Sequence, residues 1–389
     1  MNNRVIIIII VSIISSLFLS LKGNGQDFNM GGFDLGLDAP AMVTPPDSID
    51  AKIKRDWLTM VKHGRWNWRD TTIQHPPFIE FCLDVYRWFD YHFNSYDPQW
   101  VSGTGKPGKA QIFSDNWREI YDFRFGSKPL VMASHLYSNL GLQLNYYILS
   151  VSYSADLNTL FNKHSSRHKK LSFNVSIAKL FAEAYFWENR GGALIRRIKP
   201  GTSYPHYEDL DFDGLSFRAA GVMGFYIFNS KKFCFNAPYG LSNYQLKSAG
   251  SWMAGLSGTF YKADFDFKEL PQHIIDNYKI PMIDYSLDYN ALNMIGGYSY
   301  NWVCNKHFLF NSTTLPGIGV SFSFSKSTEG RKDLFSASVR QMLSLTYSNR
   351  QFFITGNGVF HGNLFPSKDL ALFSGILNFQ ISTGVRFKI

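Results

Sequence analysis

The stretch that decides the fold comes last: Leu377-Asn378-Phe379-Gln380-Ile381-Ser382-Thr383-Gly384-Val385-Arg386-Phe387-Lys388-Ile389. Its odd positions read Leu, Phe, Ile, Thr, Val, Phe, Ile, and its even positions read Asn, Gln, Ser, Gly, Arg, Lys. Strand side chains alternate between faces, so this is one strand with an apolar and a polar side. The pattern recurs upstream. Ile318, Val320, Phe322 and Phe324 alternate with Gly319, Ser321, Ser323 and Ser325. Phe335, Ala337, Val339, Leu343, Leu345 and Tyr347 alternate with Ser336, Ser338, Arg340, Ser344 and Thr346. Tyr147, Leu149, Val151 and Tyr153 alternate with Ser150, Ser152 and Ser154, and Leu171, Phe173, Val175 and Ile177 with Ser172, Asn174 and Ser176. A soluble sandwich also alternates, but its outer face carries charge. Here the polar face is Ser, Gly, Asn and Thr and the apolar face is rich in rings, as a lipid-facing barrel requires.

Composition agrees. Of 389 residues, 18% are charged, 45% are hydrophobic and 17% are Phe, Tyr or Trp, with 31 Gly. That excludes global disorder and is poor in charge for a water-soluble surface. At the N-terminus Arg4 precedes an apolar run from Val5 to Leu21, then Lys22 and Gly23-Asn24-Gly25. This reads as a secretory signal over 1–25, cut after Gly25. Losing Arg4 and Lys22 leaves a charge of 9 − 2 = +7, too scattered to argue for nucleic acid. No later stretch is long and apolar enough for a helical span, so an exported membrane chain of this kind must be a closed barrel.

The expected fold is all-β: a transmembrane antiparallel barrel of about twelve strands, between about ten and fourteen. The strands fall at roughly 115–125, 129–142, 145–155, 170–178, 180–190, 214–228, 249–265, 291–304, 306–325, 334–348, 350–364 and 371–388. Connections after the third, fifth and seventh strands are long and most others are short, as for outer loops and inner turns. Segment 229–248 breaks the rule, being a long connection where a short inner turn belongs. It is expected as an inner-face or lumenal plug, with Lys232, Tyr244, Gln245 and Lys247 its candidate contacts.

Ahead of the barrel (111–389), residues 26–46 read as a flexible Gly- and Pro-rich leader and 47–110 as a small helical periplasmic region. Asp47 or Ser48 can cap a helix to about His63, and a second helix runs from about Pro77 to Phe93, with Phe78, Cys82, Leu83, Tyr86 and Phe89 on one face. Both are expected to pack under the barrel, with a docking surface for a periplasmic protein as the alternative.

Little suggests chemistry. Ser102-Gly103-Thr104-Gly105-Lys106-Pro107-Gly108-Lys109 lacks phosphate-loop spacing, Pro107 standing where Ser or Thr should be, and reads as a hinge. His164 and His168 have no carboxylate or Cys beside them. Cys82, Cys234 and Cys304 are an odd number, so at least one thiol stays free. Charges on the expected inner face are mostly basic: Arg118, Arg124, Arg218, Arg340, Arg386 and Lys388 against Asp122. A conducting lumen lined this way would favour anions. As structure, these side chains would hold a plug instead.

The run Phe93-Asn94-Ser95-Tyr96-Asp97-Pro98-Gln99-Trp100-Val101, followed by Gly103-Thr104-Gly105-Lys106, resembles the entry to an outer-membrane family typical of the Bacteroidetes and known as a domain of unknown function. Its second hallmark is similar to Phe228-Asn229-Ser230-Lys231-Lys232-Phe233 with Gln245-Leu246-Lys247-Ser248-Ala249-Gly250-Ser251-Trp252, and the resemblance spans about residues 55–389. The family's pattern would place an aromatic before Lys109 and Ser in place of Cys234. The resemblance implies an outer-membrane barrel and brings no activity, cofactor or catalytic residue. We therefore expect a non-enzymatic structural or partner-binding component of the outer membrane. It would contact lipid and a periplasmic or envelope protein, and use no cofactor or nucleic acid. The alternatives are a narrow solute pore with a basic lumen, and a lipid-modifying enzyme using His135 or His361 as base.

Overall fold

The computed structural model describes residues 27–29, 32–36, 55–56, 73–74, 77–93, 95–106, 108–125, 128–146, 149–157, 168–190, 192–198, 210–270, 272, 275–276, 284–323, 333–366 and 370–388. The expected signal segment and most of the first expected helix lie outside these. The chain divides into two units, one of residues 1–26 and 40–92, the other of 27–39 and 93–389.

In chain order the elements are β1 (Asp27–Asn29), β2 (Gly32–Gly36), β3 (Arg55–Asp56), β4 (Ile73–Gln74), α1 (Pro77–Phe93), β5 (Val101–Gly103), β6 (Gly108–Phe125), β7 (Lys128–Ala133), β8 (Tyr137–Tyr146), β9 (Leu149–Asp156), β10 (His168–Ser176), β11 (Leu180–Asn189), β12 (Ala193–Ile198), β13 (Leu210–Phe212), β14 (Leu215–Ile227), α2 (Asn236–Tyr239), β15 (Asn243–Gln245), β16 (Ala249–Asp266), β17 (Asp284–Val303), β18 (Phe308–Ser323), β19 (Asp333–Ser348), β20 (Phe352–Pro366) and β21 (Leu370–Phe387).

In the smaller unit α1 has the expected bounds, but Phe78 is exposed, as are Phe81, Val85 and Trp88. The expected helix to about His63 is not continuous. Arg55 and Asp56 pair in parallel with Ile73 and Gln74, so their backbone groups serve a ladder instead of a helix. The stretch read as a flexible leader contains the β1–β2 hairpin, with Asp27 opposite Gly36 and Asn29 opposite Gly32.

The larger unit is built on one antiparallel sheet of fifteen strands. Every neighbour from β16 to β21 is the next in the chain, and β21 then pairs along its whole length with β6, so the sheet curls back on its own beginning. On its other edge β6 pairs with β8 along its first half and with β7 along its second. The register shifts by one residue at Ser134–Leu136, where Ser134 donates its N–H to the Glu119 carbonyl. This bulge makes β7 and β8 one strand with a change of phase. Among the described residues no ladder joins β9 to β10.

Inner positions are tight where strands cross closely. A Cβ on Gly297 would stand 1.9 Å from the Thr314 carbonyl oxygen, and one on Gly255 1.9 Å from that of Gly224. Gly297→Ala is therefore expected to lower the unfolding free energy by about 3 kcal/mol, read from urea titration in detergent micelles.

The wall reverses its polarity along its height. On the half of β17 nearer its C-terminal end, Leu292 and Met294 are exposed outward while Asn293, Ser299 and Asn301 are buried inward. On the other half, Tyr285, Leu287 and Tyr289 point inward and Asp284, Ser286 and Asp288 outward. β16 does the same, with Trp252, Leu256 and Phe260 outward and then Lys262, Asp264 and Asp266. We call the half with the apolar outer band the near half and the other the far half. The band continues through Ile112, Leu142, Leu171, Val222, Ile318, Val320, Phe335, Leu345, Phe379 and Ile381, all exposed. The C-terminal alternation is borne out: Leu377, Phe379, Ile381 and Val385 face out, and Ser382 and Arg386 are buried inside.

Candidate functional site

The lumen is filled in layers. At the far end an inward cluster of Tyr121, Tyr185, Trp187, Phe217, Tyr261, Phe265 and their neighbours packs as an apolar core. Set into it is a carboxylate that sequence reading missed, because Glu119 lies on what reads as an aromatic face. It is fully buried on β6. Its Oε2 accepts from Tyr121 at 2.7 Å and from Asn189 Nδ2 at 2.8 Å, and Tyr137 donates to Asn189 Oδ1 at 3.0 Å. Glu119→Gln keeps an acceptor there and is expected to unfold within about 1 kcal/mol of the parent, whereas Glu119→Leu strands two donors and costs about 3 kcal/mol, measured by urea titration.

At the near end segment 229–248 enters the curled sheet. Strand β15 pairs with β5, so Asn243 faces Gly103 and Gln245 faces Val101. Phe233, Phe235, Ala237 and Leu241 are buried. The chain's polar groups are taken up by wall side chains. Asn301 Nδ2 donates to the Cys234 carbonyl at 2.9 Å, and Lys109 Nζ to that of Gly240 at 3.0 Å. Ser344 Oγ donates to the Pro238 carbonyl at 3.2 Å, and Tyr239 donates to Asn311 Oδ1 at 2.6 Å. Leu241 sits at φ 61°, a left-handed backbone that costs a non-glycine residue roughly 1–3 kcal/mol. Its carbonyl meets Arg386, which donates to it from Nε at 3.0 Å and Nη2 at 2.8 Å.

Between these layers lies a polar chamber of about 500 Å³. Its floor is Phe235, Asn236, Tyr239 and Leu241, and Trp187, His361 and Ile376 stand toward the far end. Two of its cations meet carboxylates, while the third, Lys109, donates to the Gly240 carbonyl. Lys170 Nζ lies 3.0 Å from Asp115 Oδ2, and Asp115 Oδ1 accepts from Asn378 Nδ2 at 2.6 Å. Arg340 Nη2 lies 2.6 Å from Glu183 Oε2. The remaining lining is largely amide and hydroxyl, including Gln111, Asn139, Gln143 and Asn357.

Of the five arginines expected to line the lumen, Arg340 and Arg386 do so. Arg218 faces out and pairs with Glu188 at 2.6 Å, alongside Arg190. Arg118 lies out of phase with the inward Trp117, Glu119 and Tyr121, on the face of the exposed Ile112. The reason is the reversal of polarity: in the far half the charged face of a strand is its outer one. The Arg124 side chain lies outside those described. Among the candidate plug residues, Gln245 is central: its Oε1 accepts from Cys234 N at 2.9 Å, and its Nε2 donates to the Lys232 carbonyl at 2.7 Å. Tyr244 donates to the Asn349 carbonyl at 2.8 Å. Lys232 and Lys247 are exposed and bracket the Trp100 ring at 5.1 and 5.3 Å.

His361 points inward, edge-on to Tyr185 and Trp187, so it is not on the outer wall. His135 lies 3.7 Å from Asp211. Cys234 is buried and Cys304 exposed. Among the described residues no three His, Cys, Asp or Glu side chains gather as a metal site, and no helix is long and apolar enough to cross a membrane.

The sequence model of the family described as a domain of unknown function, DUF4421, matches residues 121–387. The chain belongs to this family. The match takes in β7 to β21 and the second hallmark, while the first, at 93–106, lies ahead of it. No curated protein matches the chain in sequence. Similar solved structures include the outer membrane protease OmpT from Escherichia coli, at 7% identity and TM-score 0.28, covering 72% of this chain and 96% of that one. A loop-deletion mutant of OmpT, an outer membrane protein of Vibrio cholerae, has 10% identity and TM-score 0.22, covering 70% and 99%. The Pseudomonas putida toluene transporter TodX has 7% identity and TM-score 0.20, covering 72% and 90%. At these TM-scores the likenesses decide nothing about activity.

Proposed function

We propose that this member of the family is an outer-membrane β-barrel of twelve wall strands, β6 with β8–β11, β14 and β16–β21. Its near end faces the periplasm, and it serves as a non-enzymatic, partner-binding envelope component instead of an open pore. The outer band supports the membrane placement, because soluble proteins rarely expose contiguous apolar patches beyond a few hundred Å². The lumen supports a closed barrel over an open pore: segment 229–248 is clamped into the near end and an aromatic layer fills the far end. The pore reading loses its motive, since Arg340 and Arg386 are both engaged by protein groups. The exposed stripe of Phe78, Phe81, Val85 and Trp88 on α1 is the candidate surface for a periplasmic protein.

Planar-bilayer recording tests this reading. The intact barrel, and one with 231–247 replaced by a short Gly-Ser turn, are both expected to be silent, because the far layer remains. Steady current through the intact protein would put the pore reading first. Current only after the replacement would assign the whole seal to the plug.

A further inference from the structure

The chamber is closed along the barrel axis at both ends, yet one side of its wall has no ladder among the described residues. Among these, strand β9 pairs with β8 alone, and β10 with β11 alone. Ser154 of β9 and Lys170, Ser172, Asn174 and Ser176 of β10 line the chamber beside this seam. The seam has limits. Beyond its far end β12 crosses from the β11 side to pair with β7, Leu194 opposite Ala133. Just below that strap Lys170 reaches over to Asp115 on β6. On the outside the seam is flanked by exposed Tyr153, Leu171 and Phe173, so it opens at the height of the apolar band. Unpaired strand edges are costly in lipid, where each unsatisfied backbone group costs several kcal/mol. The hairpin near the mature N-terminus lies at this place: β2 runs beside β10, and β1 beside β8 and β9.

We propose that the seam between β9 and β10 is a lateral window from the membrane into the chamber, covered by the β1–β2 hairpin. Its ligand is a single-chain amphiphile, with its polar head among the chamber amides and its tail leaving between β9 and β10. The chamber chemistry fits such a head: beside the Lys170–Asp115 and Arg340–Glu183 pairs and Lys109, the lining is largely Asn, Gln and Ser. A cavity of 500 Å³ is within the usual range of ligand sites, roughly 300–1,000 Å³. The proposal rests on the membrane-barrel reading, but its test reads the route of entry, not conductance.

The full-length mature protein, with Cys82 and Cys304 replaced by Ser and Asn357→Cys introduced in the chamber, is reconstituted in phosphatidylcholine vesicles. Labelling rates are compared for N-dodecylmaleimide, which partitions into the bilayer, and a charged sulfonate maleimide of similar intrinsic reactivity. The parent with only buried Cys234 gives the baseline. The dodecyl reagent is expected to react at least tenfold faster, and deletion of 27–36 to raise that rate several-fold. Replacing 231–247 should instead speed the charged reagent, by opening the chamber to the periplasmic side. Equal or faster reaction of the charged reagent in the intact chain would mean axial access and would overturn the window. Reaction of neither reagent would mean a sealed chamber and overturn it equally. A dodecyl rate unchanged by the hairpin deletion would remove the hairpin as its cover.

Discussion

Arg386→Met is expected to destabilise the barrel by about 4 kcal/mol, the scale for leaving buried polar partners uncompensated. Arg386 is 4% exposed and its guanidinium acts as a hub. It donates twice to Leu241 O, once to Ser348 Oγ at 2.9 Å and once to Asn349 O at 2.9 Å, and lies 5.0 Å from the Phe353 ring centroid. Methionine fills the space but leaves the Leu241 carbonyl facing a wall with no donor. The left-handed turn that aims this carbonyl then has nothing to offset its strain. Arg386→Lys keeps a charge without the planar fork and should fall between. Urea titration in micelles measures the loss. Hydrogen exchange of 236–245 should rise in Arg386→Met before that of β17 or β18. If the wall loses protection first, Arg386 is holding the barrel and not the plug.

The second large effect concerns Arg340 and Glu183, which meet across the lumen from β19 and β11. Their closest atoms are 2.6 Å apart, yet Glu183 Oε2 has no aligned hydrogen-bond donor, and Arg340 also points Nη1 at the Met223 sulfur at 2.9 Å. The pair is therefore held by charge more than by directed bonds. Removing one partner leaves a charge facing a small chamber, so Arg340→Met is expected to cost about 3 kcal/mol. The double variant Arg340→Met with Glu183→Met removes both charges and should return to within about 1 kcal/mol of the parent. A double variant that loses as much as the two singles added together would mean that each side chain matters for packing and not for the pair.

Much of this fold is written in period two. Strands β14, β16 and β18–β21 lie close to where alternation puts them, because Ser, Thr and Asn facing Phe, Leu and Ile is an unambiguous signal over a dozen residues. Segment 229–248 stands out through its length where a short turn belongs, and in the structure its carbonyls meet donors from the wall. A single polarity does not hold over the whole height of the wall. Beyond residue 290 toward the N-terminus β17 turns inside out, so Tyr285, Leu287 and Tyr289 face in while Asp284 and Asp288 face out. That strand starts earlier than expected for the same reason. The reversal put Arg118 and Arg218 on the wrong side and hid Glu119 among aromatics. The bulge at Ser134–Leu136 swaps the phase of β7 against β8, which no alternation rule anticipates. Cross-lumen partners such as Lys170 with Asp115 are 55 residues apart and carry no local signal.

The reversal is also the most direct test of the account. Nitroxide side chains placed singly at outward positions 284, 286, 288, 292, 294 and 296 of β17, in lipid vesicles, report oxygen against a water-soluble nickel complex. Nickel access is expected at 284–288 and oxygen access at 292–296, with the crossover near 290. Nickel access at all six positions would contradict the membrane band, and with it the reading of this chain as a transmembrane barrel.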